Sequence, residues 1–282
     1  MVLGGKKLLT VSNFQKMKEN KEKITMITAY DYPSAKQAER AGIDTILVGD
    51  SLGMTVLGYS STTQVTLDDM IHHAKAVKRG APNTFMVVDM PFMSYHSSLE
   101  QSIKNAVKLF QETDAQALKI EGASKEILEL VRRLTDGGIP VVGHLGLTPQ
   151  TVNVLGGYRV QGNDEEKSKE LLVDAKNLEA MGAVMVVYEC IPKELTEIFA
   201  PELAIPTIGI GAGVNADGQV LVYHDLLQYG SDRLPKFVKH YADFNVAGEE
   251  AIKQYVDDVK QSRFPAEQHT YAIKDKAFLP EI

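Results

Sequence analysis

Short apolar runs alternate with longer amphipathic stretches along most of this chain. Eight of the runs read as strands: 24–29, 45–49, 85–89, 117–121, 141–145, 184–189, 207–209 and 219–223. Most are nearly continuous in Val, Ile, Leu or Met, the pattern of parallel strands covered on both faces. Between them lie helix signals. Leu171, Leu172, Ala175 and Leu178 recur at helical spacing within 165–181. Ser97-Ser98-Leu99-Glu100 predicts a capping box opening a helix over 99–110, and Thr66 with Asp68 and Asp69 opens another over 67–78. The segment 33–41 runs into Gly42, and 125–134 stops before Gly137-Gly138, both consistent with glycine C-caps. One more helix begins near Thr10, and helices over 236–263 are expected to pack after the last strand, followed by a tail from Pro265.

Strand–helix alternation over this length predicts a parallel sheet, and eight strands predict a (β/α)8 TIM barrel. The segment between the seventh and eighth runs is too short for a crossover helix of normal length. Either that helix is missing or the register shifts there. The 282 residues suit one barrel domain, which typically takes about 250, with the barrel over 24–230 and C-terminal helices and tail over 231–282. The longest loops, 52–65 and 146–164, follow strands two and five and so fall on the face where barrels place their sites.

Composition narrows the function classes. Lys plus Arg is 30 and Asp plus Glu is 37, a formal net charge of −7, and no basic stretch exceeds a few residues. That argues against nucleic acid and anionic membranes as partners. Cys190 is the only cysteine, so no intramolecular disulfide forms and a cytoplasmic location is expected. Residues 1–23 have no apolar core of signal-peptide type, and no run approaches the ~20 apolar residues of a membrane span.

The chemistry lies in the strand ends. Asp50, Asp89 and Glu121 close the second, third and fourth apolar runs. A carboxylate at the end of a buried strand is costly unless something positive meets it. Three on neighbouring strands would make an oxygen-rich cage suited to a hard cation such as Mg²⁺, with one or two bound directly and the third holding a coordinated water. The bland alternative is that each is a rim acid or a helix cap. Zinc is disfavoured, since HExxH and CxxC are absent and His72-His73 falls on a predicted helix.

Lys119 precedes Glu121 by two positions, so both face one side of strand four. Its ammonium could meet a substrate carboxylate or developing oxyanion, attack a carbonyl as a Schiff-base amine, or simply pair with Glu121. Acidic neighbours favour the charged, non-nucleophilic form. Glu189 ends strand six, across the barrel, and is a candidate general base or a rim ion pair. His144, ending strand five, either orients substrate or is an inert polar strand end; Cys190 reads as a packing residue. Gly209–Gly213, GIGAG, lacks the spacing of a dinucleotide loop and is a close backbone approach or a tight turn.

The segments ITAYDYPSA, ILVGDSLGM, HHAKAVKRG, VVDMPFMSY, ALKIEGA, GHLGLTPQ, VYECIP and GIGAG with DGQVLVYHDLL together resemble the ketopantoate hydroxymethyltransferase family over about 7–274. The resemblance implies a TIM barrel of the phosphoenolpyruvate-utilising type that depends on magnesium. It implies transfer of a one-carbon unit from 5,10-methylenetetrahydrofolate to 3-methyl-2-oxobutanoate through a Mg-stabilised enolate, giving 2-dehydropantoate on the route to pantothenate. By motif, Asp50, Ser51, Asp89 and Lys119 would bind the oxo acid, Asp50, Asp89 and Glu121 the metal, and Glu189 would accept the proton. Large homo-oligomers, commonly decamers, and a shortened connection between strands seven and eight are also implied. The rival readings are another Mg-dependent C–C lyase or mutase on the same barrel, a lysine Schiff-base aldolase, and a catalytically silent binding barrel.

Overall fold

The computed structural model describes residues 7–231, 234–274 and 280. Eight strands, β1 (Ile24–Thr28), β2 (Thr45–Val48), β3 (Phe85–Asp89), β4 (Ala117–Glu121), β5 (Val141–Gly146), β6 (Met185–Glu189), β7 (Thr207–Ile210) and β8 (Gly218–Leu221), close into a barrel in chain order. Every pairing is parallel, and β8 returns to β1 through Ile24↔Gly218 to Ile27↔Leu221.

The outward side chains of the strands, among them Ile46, Val88, Leu118 and Val186, meet a shell of helices and form the larger apolar cluster. The helices are α1 (Val11–Glu19), α2 (Tyr32–Ala41), the short α3 (Leu52–Thr55), α4 (Leu67–Gly80), α5 (Leu99–Thr113), α6 (Lys125–Asp136), the short α7 (Val152–Leu155), α8 (Glu165–Ala180), α9 (Lys193–Glu202), the short α10 (Tyr223–Leu227) and α11 (Phe244–Lys260), of which α1 and α11 stand outside that shell. The capping chemistry follows the sequence with one shift. Thr66 and Asp69 make the reciprocal box on α4, Thr66 N donating to Asp69 Oδ2 (2.9 Å) and Asp69 N to Thr66 Oγ1 (3.1 Å). On α5 the cap is Ser98, which accepts from Gln101 N (3.2 Å), while Glu100 turns outward to Lys104 (2.6 Å). Gly42 ends α2 at φ 87°, a left-handed conformation that glycine reaches without a Cβ penalty.

The lower half of the lumen is packed, not hollow. Leu47, Val87, Val142, Met185 and Ile208 fill it, and α1 plugs it from below with Phe14 and Met17. Phe14 meets Phe85 edge to face at 5.0 Å between ring centroids. Lys18 fastens the plug to Asp217 (2.8 Å), which also accepts from Thr207 N and Oγ1 (2.8 Å each).

One open alternative is settled and two expectations are corrected. Of the two alternatives between β7 and β8, the missing crossover helix is the one found: 211–217 make turns only. The last strand stops at Leu221 because Tyr223 opens α10, its N donating to Thr28 Oγ1 (2.8 Å). The segment 236–263 holds one helix, α11, and no residue of that helix is buried, so it does not pack behind the barrel.

Candidate active site

Parallel register does most of the assembly. Asp89 on β3 lies opposite Lys119 on β4, and Glu121, two residues further along β4, lies opposite His144 on β5. Glu189 on β6 lies opposite Gly146, two residues beyond His144. Paired positions in a parallel ladder point the same way, and alternate residues share a face. The polar residues therefore stack as successive levels above the apolar plug, at the C-terminal mouth of the barrel. Asp50 stands two residues past β2, in the turn before α3, rather than on the strand itself. Its backbone N donates to Asp89 Oδ2 (3.0 Å), which draws the turn over the mouth.

The contacts form one continuous cluster. Lys119 Nζ is 3.1 Å from Asp89 Oδ1 and 3.1 Å from His144 Nδ1. His144 Nδ1 is also 3.2 Å from Glu121 Oε1, and its Nε2 is 3.2 Å from Glu189 Oε2. Asp50, Asp89, Lys119, Glu121 and His144 are all buried. Glu189 is the most accessible carboxylate of the set, its side chain 16% exposed against 3% for Asp89 and Glu121. Ser51 faces the same space, its Oγ 2.7 Å from Tyr30 OH. These groups line a cavity of about 590 Å³ whose upper walls come from Met54 and Thr55, from Tyr158, Arg159 and Val160, and from Phe237. Each residue singled out at the strand ends is thus brought to this cavity.

Burial and crowding set the charges. Asp50 is pushed well up from the ordinary carboxylate range by burial and then by Asp89 and Glu121. Asp89 is also raised, by burial, against the pull of Lys119. Glu121 is lowered: burial opposes ionisation, but His144, Lys119 and the Gln150 N–H outweigh it. Burial works against the Lys119 ammonium, yet Asp89, Glu121 and Asp50 raise its affinity for the proton. His144 follows the same logic, burial and Lys119 opposing and the two glutamates lifting it to about 9. A protonated His144 pairs by charge with Glu121 at Nδ1 and Glu189 at Nε2, without an aligned hydrogen bond to either, and its Lys119 contact is then a like-charge approach.

Four carboxylates, Asp50, Asp89, Glu121 and Glu189, then face two cations, Lys119 and His144, an excess of two negative charges when all are ionised. Asp89 Oδ1 and Glu121 Oε1 are buried and, despite their close ion pairs, have no well-aligned hydrogen bond. Among the described residues no three acidic, histidine or cysteine side chains already stand in ligating positions around one point. The donor set suits a hard cation that keeps waters, reached by one or two carboxylates.

Two further residues of the cluster close the VVDMPFMSY and GHLGLTPQ segments but were given no role from the sequence. Gln150, in the 3₁₀ turn after β5, donates from Nε2 to Asp50 Oδ2 (2.8 Å) and from its backbone N to Glu121 Oε2 (3.1 Å). Tyr95, in the loop after β3, donates to Gln150 Oε1 (2.7 Å) and accepts from Glu121 N (3.3 Å). Their place in those segments and their position after strands, on the catalytic face, were the available pointers. Other residues take the plainer reading. His72 and His73 lie on α4, with His73 Nδ1 at 2.6 Å from Tyr30 O, and the half-buried Cys190 thiol is pushed up to about 12 by burial and Glu189.

Among solved structures the barrel is similar to phosphoenolpyruvate phosphomutase from Streptomyces platensis subsp. rosaceus (TM-score 0.59, 14% identity, 94% of this chain and 92% of that one). It is also similar to 2,3-dimethylmalate lyase, a PEP mutase/isocitrate lyase superfamily member (TM-score 0.56, 15% identity, 94% and 93%). At such identities the likeness establishes the fold alone. Sequence relatives are much nearer. The 3-methyl-2-oxobutanoate hydroxymethyltransferases of Geobacillus kaustophilus (strain HTA426) and Bacillus cereus (strain B4264) are 59% and 58% identical, over 95% and 96% of this chain and 96% and 97% of theirs. With the ketopantoate hydroxymethyltransferase family model matching residues 8–267 as well, the chain belongs to the ketopantoate hydroxymethyltransferase family and is an enzyme of hydroxymethyl transfer.

Proposed function

We propose that this enzyme moves the one-carbon unit of 5,10-methylenetetrahydrofolate to C3 of 3-methyl-2-oxobutanoate, giving 2-dehydropantoate and tetrahydrofolate, with Mg²⁺ in the acidic cluster. The observation that carries it is the convergence of Asp50, Asp89, Lys119, Glu121, His144 and Glu189 on one cavity. Asp50 and Asp89 would hold the ion, with Glu121 in its shell; the orphaned buried oxygens of Asp89 and Glu121 fit that role. Bound there, Mg²⁺ supplies Lewis acidity that polarises the 2-oxo group and acidifies the C3 proton.

The chain's own groups do the rest. Glu189, the most accessible of the four acids, takes the C3 proton. His144, 3.2 Å from a carboxylate oxygen of Glu189 and of Glu121, stands between the two carboxylates and keeps them apart. Lys119 presents its ammonium to the oxygen on which negative charge grows, and Ser51 meets the oxo acid from the turn after β2. The two C–N bonds that hold the one-carbon unit to the folate break as water supplies its oxygen to that carbon and its protons to the tetrahydrofolate nitrogens. The C3–H bond breaks, the new C–C bond forms, and the proton taken by Glu189 returns to the product hydroxyl. Met54, Thr55 and Tyr158 to Val160 flank the mouth and suit the folate and the exclusion of bulk water.

Exchange of the C3 proton for deuterium tests the roles without folate. Wild-type protein with Mg²⁺ is expected to exchange, chelation to abolish it, and Glu189→Gln to slow it by about 10²–10⁴ while Mg²⁺ still binds. Undiminished exchange in Glu189→Gln removes that residue from the base role.

A homo-oligomer, decameric by the family resemblance, completes the proposal. Ile252, Tyr255, Val256 and Val259 lie one turn apart along α11 and are 42–64% exposed, an apolar stripe suited to another copy. Light scattering should give a multiple of 31.0 kDa that falls when Ile252 and Tyr255 are made polar. The acidic net charge, and the lack among described helices of one long and apolar enough to cross a membrane, support a cytoplasmic enzyme without nucleic-acid or membrane partners.

A further inference from the structure

We infer that Gln150 is a positioning residue for this reaction, holding Asp50 and Glu121 in the geometry that the cation and the oxo acid require, with Tyr95 as its anchor. The inference rests on the magnesium reading above. The hydrogen bonds around Gln150 run in one forced direction. The Glu121 N–H only donates, so Tyr95 OH accepts it (3.3 Å) and must turn its own proton elsewhere. That proton goes to Gln150 Oε1 (2.7 Å). The Met90 carbonyl only accepts, so the amide NH₂ must face it (3.0 Å), and the same NH₂ reaches Asp50 Oδ2 (2.8 Å). The backbone N of Gln150 closes the loop on Glu121 Oε2 (3.1 Å).

The side chain of Gln150 therefore ties together the turn after β2, the loop after β3 and the turn after β5, and its backbone N reaches the end of β4. The two carboxylates so reached, Asp50 beyond β2 and Glu121 on β4, repel one another. Nothing in barrel register fixes Asp50, which lies beyond β2, and its side chain is held by the amide of Gln150. Gln150 is itself 3% exposed, so every one of these bonds is made without competing water. A carboxylate or an apolar group of the same length cannot replace the amide: Glu at 150 would set an oxygen against both Asp50 Oδ2 and Met90 O, and Met would leave Tyr95 OH without its acceptor. Partners behind metal-binding carboxylates commonly change metal affinity by about 10–100-fold when removed.

Calorimetric titration of the purified oligomer with Mg²⁺, in the presence of 3-methyl-2-oxobutanoate, tests this directly. Gln150→Glu and Gln150→Met are expected to weaken Mg²⁺ binding at least tenfold. Folate-independent C3 exchange should show KM for the oxo acid rising by a similar factor, with kcat at saturating Mg²⁺ falling only a few-fold. Tyr95→Phe, which deletes one hydroxyl and cannot gut the fold, should produce a smaller shift of the same kind. Variants whose melting temperature drops while Mg²⁺ affinity and KM stay within twofold of wild type would overturn the inference and leave Gln150 a structural residue. Wild-type protein that binds no Mg²⁺ would instead remove the magnesium reading, a result distinct from wild type binding and the variants binding equally well.

Discussion

His144 offers the sharpest quantitative test of the buried cluster. Its imidazole is 3% exposed, with Glu121 at one nitrogen and Glu189 at the other, and its pKa is lifted from an ordinary 6.5 to about 9. A group whose folded-state pKa is raised contributes stability that is fully present below the unfolded value and disappears as pH rises through the folded value. For His144 that window is pH 6.5 to 9. At 1.36 kcal/mol per unit, the contribution lost across it is about 3 kcal/mol. The measurement is urea unfolding of protein stripped of divalent cations with EDTA, at fixed protomer concentration, for wild type and His144→Gln. Asp50 and Asp89, also raised, lose stability in the same direction, but they are present in both proteins and largely cancel in the difference. Cys190, raised from 9.0 to about 12, loses its contribution only as pH rises above about 9, at the edge of the range measured, and is present in both proteins. The wild-type advantage over His144→Gln should shrink by about 3 kcal/mol between pH 6 and pH 9. A difference that stays flat across that range would mean that His144 is neutral in the folded protein, and that the charge balance argued for the cluster is wrong.

Other perturbations separate plug, strand end and lumen. Phe14→Ala empties the fully packed contact with Phe85 under the barrel and should cost about 3–5 kcal/mol in denaturant unfolding, with KM for the oxo acid unchanged. Lys119→Met leaves Asp89 buried without its partner; a stability loss of about 3–5 kcal/mol at pH 7, partly recovered at lower pH as the carboxylates protonate, is expected, together with a large rise in KM. Gly146→Ala forces a Cβ at φ 94° against the Glu189 carbonyl and within 2.8 Å of Ile191, so it should displace Glu189 and lower kcat for C3 exchange more than it raises KM.

What the sequence made legible, and what it hid, divide along a physical line. Strand ends were readable because a parallel barrel converts position along the chain into position in space: a run of buried apolar residues that stops at an acid puts that acid at the mouth. Asp89, Glu121 and Glu189 were found for that reason; His144 lies two residues before the end of β5, and the two-residue stagger that sets Asp89 beside Lys119 is not readable from two runs of equal length. The missing helix before β8 was legible as a spacing too short to hold one. Helix ends were less so, since Ser97 and Ser98 offer equivalent hydroxyls and only the backbone decides which caps. The packing of 236–263 was misjudged because an apolar stripe at helical spacing says that a face wants cover, not which surface supplies it. Gln150 and Tyr95 close two of the segments that carry the resemblance, yet their roles were hidden for a deeper reason. Neither is on a strand, neither carries charge, and each acts only through bonds to residues between 26 and 100 positions away. Such a residue is defined by the closure of the fold, and a barrel whose acids come from separate strands needs one: register aligns neighbours, but an acid that sits past its strand must be held by something that arrives from elsewhere in the chain.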